Sequence, residues 1–196
     1  MRYIDNISTL THEVKQSKFI AHFIPYSDYE STLKSLKSQH PKARHFVTAY
    51  RYLNEFDQIV EHSSDDGEPK GTSGKPSLMV LQGQEIINAA VIIVRYFGGT
   101  KLGTGGLVRA YSDAVNLVVN EASLIVYKKE IQKKISIEYS DVRFIDYECE
   151  AFDVTIIEKI FDIKTVYIIK ASEESMKKFL EKVERVVKIQ KEDFRE

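Results

Sequence analysis

All nine glycines of this 196-residue chain lie between Gly67 and Gly106, and none lies before or after that stretch. Glycine adopts positive φ at little cost, and it lets another chain or a ligand approach the backbone closely. The distribution excludes a collagen-like repeat, a glycine-rich linker and a GxxxG membrane helix. It predicts one region in which the backbone turns tightly or is closely approached.

The overall composition is that of a globular protein, with 43% hydrophobic and 29% charged residues. The formal net charge of −1 gives no overall attraction to nucleic acid, so any such binding needs a local patch. The longest apolar stretch, about 89–94, is far shorter than the ~20 residues that span a bilayer, and the first residues do not resemble a signal peptide. The lone Cys149 cannot form an internal disulfide, and its acidic neighbours argue against a nucleophile. We therefore expect a soluble, cytoplasmic protein.

A change of composition near residue 128 predicts two domains, 1–128 and 129–196. All histidines, prolines and glycines precede it. The second domain has the pattern β-α-β-β-α-β, which predicts a ferredoxin-like antiparallel sheet with two helices on one face. Its elements are expected at 133–138, a helix capped by Asp141, 153–160, 163–170, a helix opened by Ser172, and 186–189.

The first domain is predicted to mix strands and helices, so the fold class is α+β. The expected strands are 13–24, 44–53, 59–62, 89–97 and 124–127. The expected helices are 28–39, a short one starting at Pro76, and a long one at about 105–121.

The segment 94–111 has the order strand, glycine loop, helix. Thr104 is predicted to cap the helix, which leaves Gly105 and Gly106 in its first turn. Each glycine there costs up to ~1 kcal/mol relative to alanine. Two explanations stay open: close packing of the helix start, or approach of an anion to its exposed amides. The Walker A and Rossmann patterns are both absent.

This segment and Arg44 supply the candidate anion- or nucleic-acid-binding residues. A purely structural alternative pairs Arg109 with Asp113 and assigns the glycines to packing. The candidates are Arg44, Arg95, Gly98, Gly99, Lys101, Gly103, Thr104, Gly105, Gly106 and Arg109.

A second glycine-bearing segment, 61–76, has three interpretations. It is a solvated loop with a turn at Asp66-Gly67, a metal site built from His62, Asp65, Asp66 and Glu68, or a ligand-binding nest of amides before a helix. The spacing of the four possible ligands matches neither zinc nor EF-hand sites. The secondary candidates are Asp65, Asp66, Gly67, Glu68, Gly71, Thr72, Ser73, Gly74 and Lys75. No catalytic residue, cofactor or metal is predicted.

The chain resembles the IMPACT/YigZ family, in its bacterial two-domain form. The resemblance rests on motifs across most of residues 17–115: Phe19-Ile20-Ala21, Ala43-Arg44-His45, Asp65-Asp66-Gly67-Glu68-Pro69, Gly71-Thr72-Ser73-Gly74, and 94–103 running into 106–111. It implies a first domain like domain 2 of ribosomal protein S5 and a second like the last domain of elongation factor G. It also implies nucleic-acid or ribosome association, since eukaryotic relatives act in translational control.

The sequence therefore predicts a non-catalytic protein that binds RNA or the ribosome and regulates translation. A protein partner is a further hypothesis, and no association with a membrane is expected. Arg44, Arg95, Lys101 and Arg109 would contact phosphates, and either Tyr96 or Phe97 would stack on bases while the other faces the core. The alternative is a small-molecule enzyme that holds a nucleotide or phosphate ester at the glycine-loop helix terminus. A structural interaction module is a third hypothesis.

Overall fold

The structure of the protein is a computed structural model, in which residues 1–189 are described. Its fold is α+β, as the sequence predicts. The chain divides into two compact units, of which the first is Met1–Tyr127 and the second begins at Lys128. No helix among residues 1–189 is long and apolar enough to cross a membrane.

The first unit contains a five-stranded antiparallel sheet and three helices. The strands are β1 (Arg2–Tyr3), β2 (Ser8–Val14), β3 (Ser17–Pro25), β4 (His45–Leu53), β5 (Ile59–Ser64), β6 (Ala89–Tyr96) and β7 (Ile125–Val126). The helices are α1 (Tyr29–Gln39), α2 (Gly74–Gly83) and α3 (Gly103–Glu121). The strand order is β2-β3-β6-β4-β5, and β1 pairs separately with β7.

Strand β6 is the centre of this unit, and it is buried from Ala89 to Arg95. Because side chains alternate along a strand, β6 contributes to two cores. Val91 and Ile93 pack in the core that contains α2 and α3. Ile92 packs on the other face in the core that contains Leu36 of α1. Helices therefore lie on both faces of the sheet.

Three predicted boundaries in the first unit are wrong. The strand expected at 13–24 is a hairpin of β2 and β3, which turns at Lys15 and Gln16 with φ of 46° and 64°. Two positive φ values are typical of a type I′ turn, but these residues carry none of its usual Asn-Gly signal. Helix α2 begins at Gly74 rather than Pro76. Helix α3 begins at Gly103, so Thr104 lies inside its first turn and does not cap it.

The second unit has the element order predicted for it. It consists of β8 (Glu130–Ile137), α4 (Val142–Ala151), β9 (Thr155–Phe161), β10 (Thr165–Ser172), α5 (Glu173–Val183) and β11 (Lys188–Ile189). The antiparallel sheet has the order β11-β8-β10-β9. The hydroxyl of Ser172 caps α5 by accepting a hydrogen bond from the amide of Ser175 at 3.1 Å. Cys149 is buried, and burial together with Asp146 raises the pKa of its thiol to about 11.

Candidate functional site

The two glycine-bearing loops begin at the same end of the strands in the first unit's sheet. One loop (residues 65–73) joins β5 to α2, and the other (residues 97–102) joins β6 to α3. Strand β4 pairs antiparallel with both β5 and β6, and its first residue, His45, lies opposite Arg95. The ends of β5 and β6 therefore flank the beginning of β4, and both loops start there.

The 65–73 loop opens with the turn predicted at Asp66-Gly67, which is confirmed. The φ values of these two residues are 42° and 87°, and the amide of Glu68 donates to the carbonyl of Asp65 at 3.0 Å. Asp66 fixes the turn to β4, because its carboxylate accepts a hydrogen bond from the amide of Phe46 at 2.6 Å. The carbonyl of Asp66 lies 2.8 Å from Nδ1 of His45.

The carboxylate of Asp65 occupies the N-terminus of α2. It accepts hydrogen bonds from the amides of Gly71 at 2.7 Å, Ser73 at 3.1 Å and Gly74 at 2.8 Å, and from the Ser73 hydroxyl at 2.7 Å. Burial alone would raise the pKa of this carboxyl, but these hydrogen bonds outweigh it and hold the pKa below its ordinary value. Because an internal carboxylate satisfies these amides, the interpretation of this loop as a nest for an external anion is wrong.

The other secondary candidates also have structural roles or lie on the surface. Thr72 is buried, and its hydroxyl donates to the carbonyl of Pro69 at 2.7 Å. Lys75 is exposed. A side chain on Gly74 would meet the backbone of Ser64 at 2.7 Å, so this glycine permits close packing of α2 on β5.

Glu68, Arg95 and Tyr111 form a buried cluster that joins the 65–73 loop to β6 and α3. The carboxylate of Glu68 accepts hydrogen bonds from Nη1 of Arg95 at 2.5 Å and from the Tyr111 hydroxyl at 2.8 Å. Burial and the neighbouring Glu68 strongly raise the pKa of Tyr111. Sequence reasoning missed this cluster, because its members are 27 and 43 residues from Glu68 along the chain.

The prediction that Arg95 contacts phosphate does not fit its position. Arg95 is only 7% exposed, and its guanidinium lies 5.3 Å from the ring centre of Phe19 and 5.9 Å from that of Phe97. Because side chains alternate along β6, Arg95 points to the same face as Val91 and Ile93, which α2 and α3 cover. Arg95 therefore pairs with Glu68 of the 65–73 loop instead of offering its charge to a ligand.

The four possible metal ligands of segment 61–76 do not converge on one point. Asp65, Asp66 and Glu68 have the separate partners described above, and His62 stacks on Tyr50 with ring centres 5.1 Å apart. Within residues 1–189, no group of three or more His, Cys, Asp or Glu side chains is arranged to hold a metal ion.

Four glycines of the 97–102 loop and the start of α3 are explained by packing and by backbone conformation. A Cβ on Gly98 would lie 2.0 Å from the backbone of Gln16, and the amide of Gly98 donates to the Ser17 hydroxyl at 3.1 Å. Gly99 and Gly103 have φ of 87° and 75°, which a residue with a side chain rarely adopts. A side chain on Gly106 would meet Cβ of Leu102 at 3.1 Å.

Gly105 is the exception, because neither packing nor conformation requires a glycine there. Apart from its chain neighbours and the helix's own backbone, no heavy atom lies within 4 Å of an added Cβ, and its φ is not positive. It lies in the first turn of α3, where glycine costs ~1 kcal/mol relative to alanine. Residues 103–105 are exposed, and no side chain among residues 1–189 accepts a hydrogen bond from their amides. The N-terminus of α3 is therefore open, which is the arrangement that attracts anions.

Three of the predicted cations are exposed and unpaired within the described part of the chain. Lys101, Arg109 and Arg44 are exposed, and none of them forms an ion pair with a residue of the described part of the chain. The alternative pairing of Arg109 with Asp113 is absent from it too. Lys101 is in the 97–102 loop, Arg109 is near the start of α3, and Arg44 directly precedes β4.

The two neighbouring aromatic residues differ in exposure. Tyr96 packs against the α1-side core, and its hydroxyl lies 2.9 Å from Nδ1 of His40. Phe97 is 53% exposed. One of the pair therefore faces the core, as predicted, and Phe97 is the one that remains accessible.

Comparison with known proteins finds matches that include both glycine-bearing loops. The family described as the Impact N-terminal domain matches residues 15–119. An IMPACT family member of Haemophilus influenzae is 34% identical over 170 residues, which cover 85% of this chain and 82% of that protein. The IMPACT family member YigZ of Escherichia coli is 40% identical over 116 residues, or 58% of this chain and 57% of that protein.

Two solved structures are also similar. The crystal structure of a hypothetical protein matches 99% of this chain and 98% of its own, with 25% identity and a TM-score of 0.69. The two-domain translational regulator Yih1 matches 60% of this chain and 46% of its own, with 23% identity. The TM-score of that second match is 0.36.

Proposed function

The chain belongs to the IMPACT family, and from that membership and the open end of α3 we propose that it is a non-catalytic RNA- or ribosome-associated regulator of translation. The single observation that carries the proposal is Gly105. It lowers the stability of α3 without a packing or conformational reason, and it leaves the backbone amides beside it accessible.

The proposed interface is formed by the α3 amides and by the three exposed cations Arg44, Lys101 and Arg109. Backbone amides at a helix N-terminus and Arg or Lys side chains are the groups that contact nucleic-acid phosphates. Because the net charge of the chain is −1, the attraction is local to this patch. Phosphate contacts carry no sequence information, so the exposed ring of Phe97 would add stacking on an unpaired base.

We further propose that the two units are domains, 1–128 and 129–196, with folds found in translation. The first would resemble domain 2 of ribosomal protein S5. The second would resemble the ferredoxin-like last domain of elongation factor G, which its β-α-β-β-α-β element order and all-antiparallel sheet support.

A salt series with structured RNA tests the interface. We expect the full chain to bind at low salt, and the logarithm of the affinity to fall linearly with the logarithm of the salt concentration. Lys101→Ala and Arg109→Ala should each reduce that slope by about 0.9, the value for one lost duplex phosphate contact. Lys34→Ala is the matched control, because Lys34 is exposed on α1.

Two outcomes would reject the proposal. One is the absence of binding at low salt, and the other is a slope that Lys34→Ala changes as much as Lys101→Ala does. A thermal shift of several degrees with a nucleotide, without RNA binding, would instead favour the small-molecule enzyme.

A further inference from the structure

A second feature of the first unit lies outside the glycine loops, near the other end of β6. It is a surface cleft of about 640 Å³ between β1, the turn after β3 and the end of β4. Ten residues line it: Tyr3, Ile4, Asp5, Pro25, Tyr26, Ser27, Asp28, Tyr52, Leu53 and Asn88. That volume falls within the range of small-molecule sites.

Three of the ten lining residues are tyrosines. The rings of Tyr26 and Tyr52 stack with centres 4.1 Å apart and planes 6° from parallel. The ring of Tyr29 is nearly parallel to that of Tyr26, at 6.3 Å between centres, and the ring of Tyr50 is tilted against it by 51° at 5.0 Å. Aromatic rings attract organic cations through their negative faces.

The backbone frame of the cleft is fixed by Asn88. Its side-chain carbonyl accepts a hydrogen bond from the amide of Leu53 at 2.9 Å, and its backbone carbonyl accepts one from the amide of Tyr26 at 2.9 Å. The cleft is therefore built by hydrogen bonds between separate segments, and its shape is preorganised.

The charges of the cleft are all negative. Asp5 and Asp28 are its two ionisable groups besides the tyrosines, and no Lys, Arg or His is among the ten lining residues. Neither carboxylate forms an ion pair with a residue in the described range 1–189, and each accepts a hydrogen bond only from its sequence neighbour, Asn6 or Ser27. Glu30 adds a further negative charge near Tyr26.

We propose that this cleft binds a linear aliphatic polyamine. Two ammonium groups would pair with Asp5 and Asp28, and the methylene chain between them would lie on the stacked rings of Tyr26 and Tyr52. A divalent metal ion suits the cleft less well, because such ions need several converging oxygen ligands. The inference does not depend on RNA binding at α3.

Calorimetric titration of the full chain with spermidine at low ionic strength tests this proposal. We expect saturable binding at one site, which Asp5→Asn and Asp28→Asn each weaken at least fivefold through the loss of one charge contact. Glu121→Gln removes an exposed carboxylate at the end of α3 and should leave the affinity unchanged. Tyr26→Leu should weaken binding, whereas Tyr26→Phe keeps the ring and should not.

The proposal is overturned if spermidine gives no saturable heat, or if Glu121→Gln weakens binding as much as Asp28→Asn does. It is also overturned if Mg²⁺ displaces spermidine at equal concentration, because charge alone would then explain the binding. The two aspartate variants change only exposed side chains, so they keep the test valid even if Tyr26→Leu fails to fold.

Discussion

The 65–73 loop and the 97–102 loop both lead from a strand into the N-terminus of a helix, and both contain glycines with positive φ. They differ in what meets the helix. Asp65 fills the N-terminus of α2 with a carboxylate from the same loop. The N-terminus of α3 receives no side-chain acceptor from residues 1–189, and Lys101 and Arg109 add positive charge beside it.

The difference shows that a glycine-rich loop before a helix does not by itself indicate an anion site. What matters is whether the chain supplies its own acceptor. In the 65–73 loop the amides stabilise the fold, because they donate hydrogen bonds to the charged carboxylate of Asp65. The N-terminus of α3 leaves the same kind of group exposed, and Gly105 in its first turn reduces helix stability although neither packing nor a positive φ requires a glycine there.

The largest expected loss of stability follows from a change in the 65–73 loop. Asp65→Ala would remove the acceptor of three amides and one hydroxyl, so we expect the free energy of unfolding of the first unit to fall by about 3 kcal/mol. Urea denaturation measures this change. Asp113→Ala, at an exposed carboxylate on α3, is the matched control and should change stability by less than about 0.5 kcal/mol. Equal losses in the two variants would contradict the assigned role of Asp65.

The next largest loss of stability is expected from a change at the start of the 97–102 loop. Gly98→Ala would place a Cβ 2.0 Å from the backbone of Gln16, so the β2–β3 hairpin must move away from β6. Such overpacking costs about 2 kcal/mol. Thermal or urea unfolding checks it, and wild-type stability in this variant would show that the hairpin yields easily.

The dependence of stability on pH shows how much of the contribution of Asp65 comes from its negative charge. Because its folded-state pKa is lowered, its charged form contributes stability that is present above the unfolded pKa near ~3.9 and lost as the pH falls below that value. The stability difference between wild type and Asp65→Asn should therefore be constant above about pH 5 and shrink below about pH 4. A constant difference down to pH 2 would show that the charge contributes nothing.

The sequence predicted the elements whose periodicity is strong and local. The second unit is the best case, because each of its strands and helices has a clear apolar pattern and Ser172 caps α5 as expected. The β2–β3 hairpin was missed because Lys15 and Gln16 adopt positive φ without a glycine or asparagine.

The candidate site was predicted only in part for a different reason. Its location, and the exposure of Lys101 and Arg109, follow from the local strand–loop–helix pattern. The burial of Arg95 depends on Glu68, 27 residues away, and the closure of the α2 loop depends on Asp65 folding back onto Gly74. Such pairings are set by tertiary structure, so a pattern of residue types in one segment does not contain them.

The smallest expected change in stability is that of Gly105→Ala, and this variant gives the sharpest test of the difference between the N-termini of α2 and α3. An alanine has open space there, so it should raise the free energy of unfolding by up to ~1 kcal/mol through helix propensity. The same methyl group would narrow access to the α3 amides and should weaken RNA binding in the salt-series assay. Gly83→Ala, at the end of α2 and also in open space, should raise stability without changing RNA binding. If Gly105→Ala stabilises the protein and leaves RNA affinity intact, the open end of α3 is not the contact surface, and the two loops differ in structure alone.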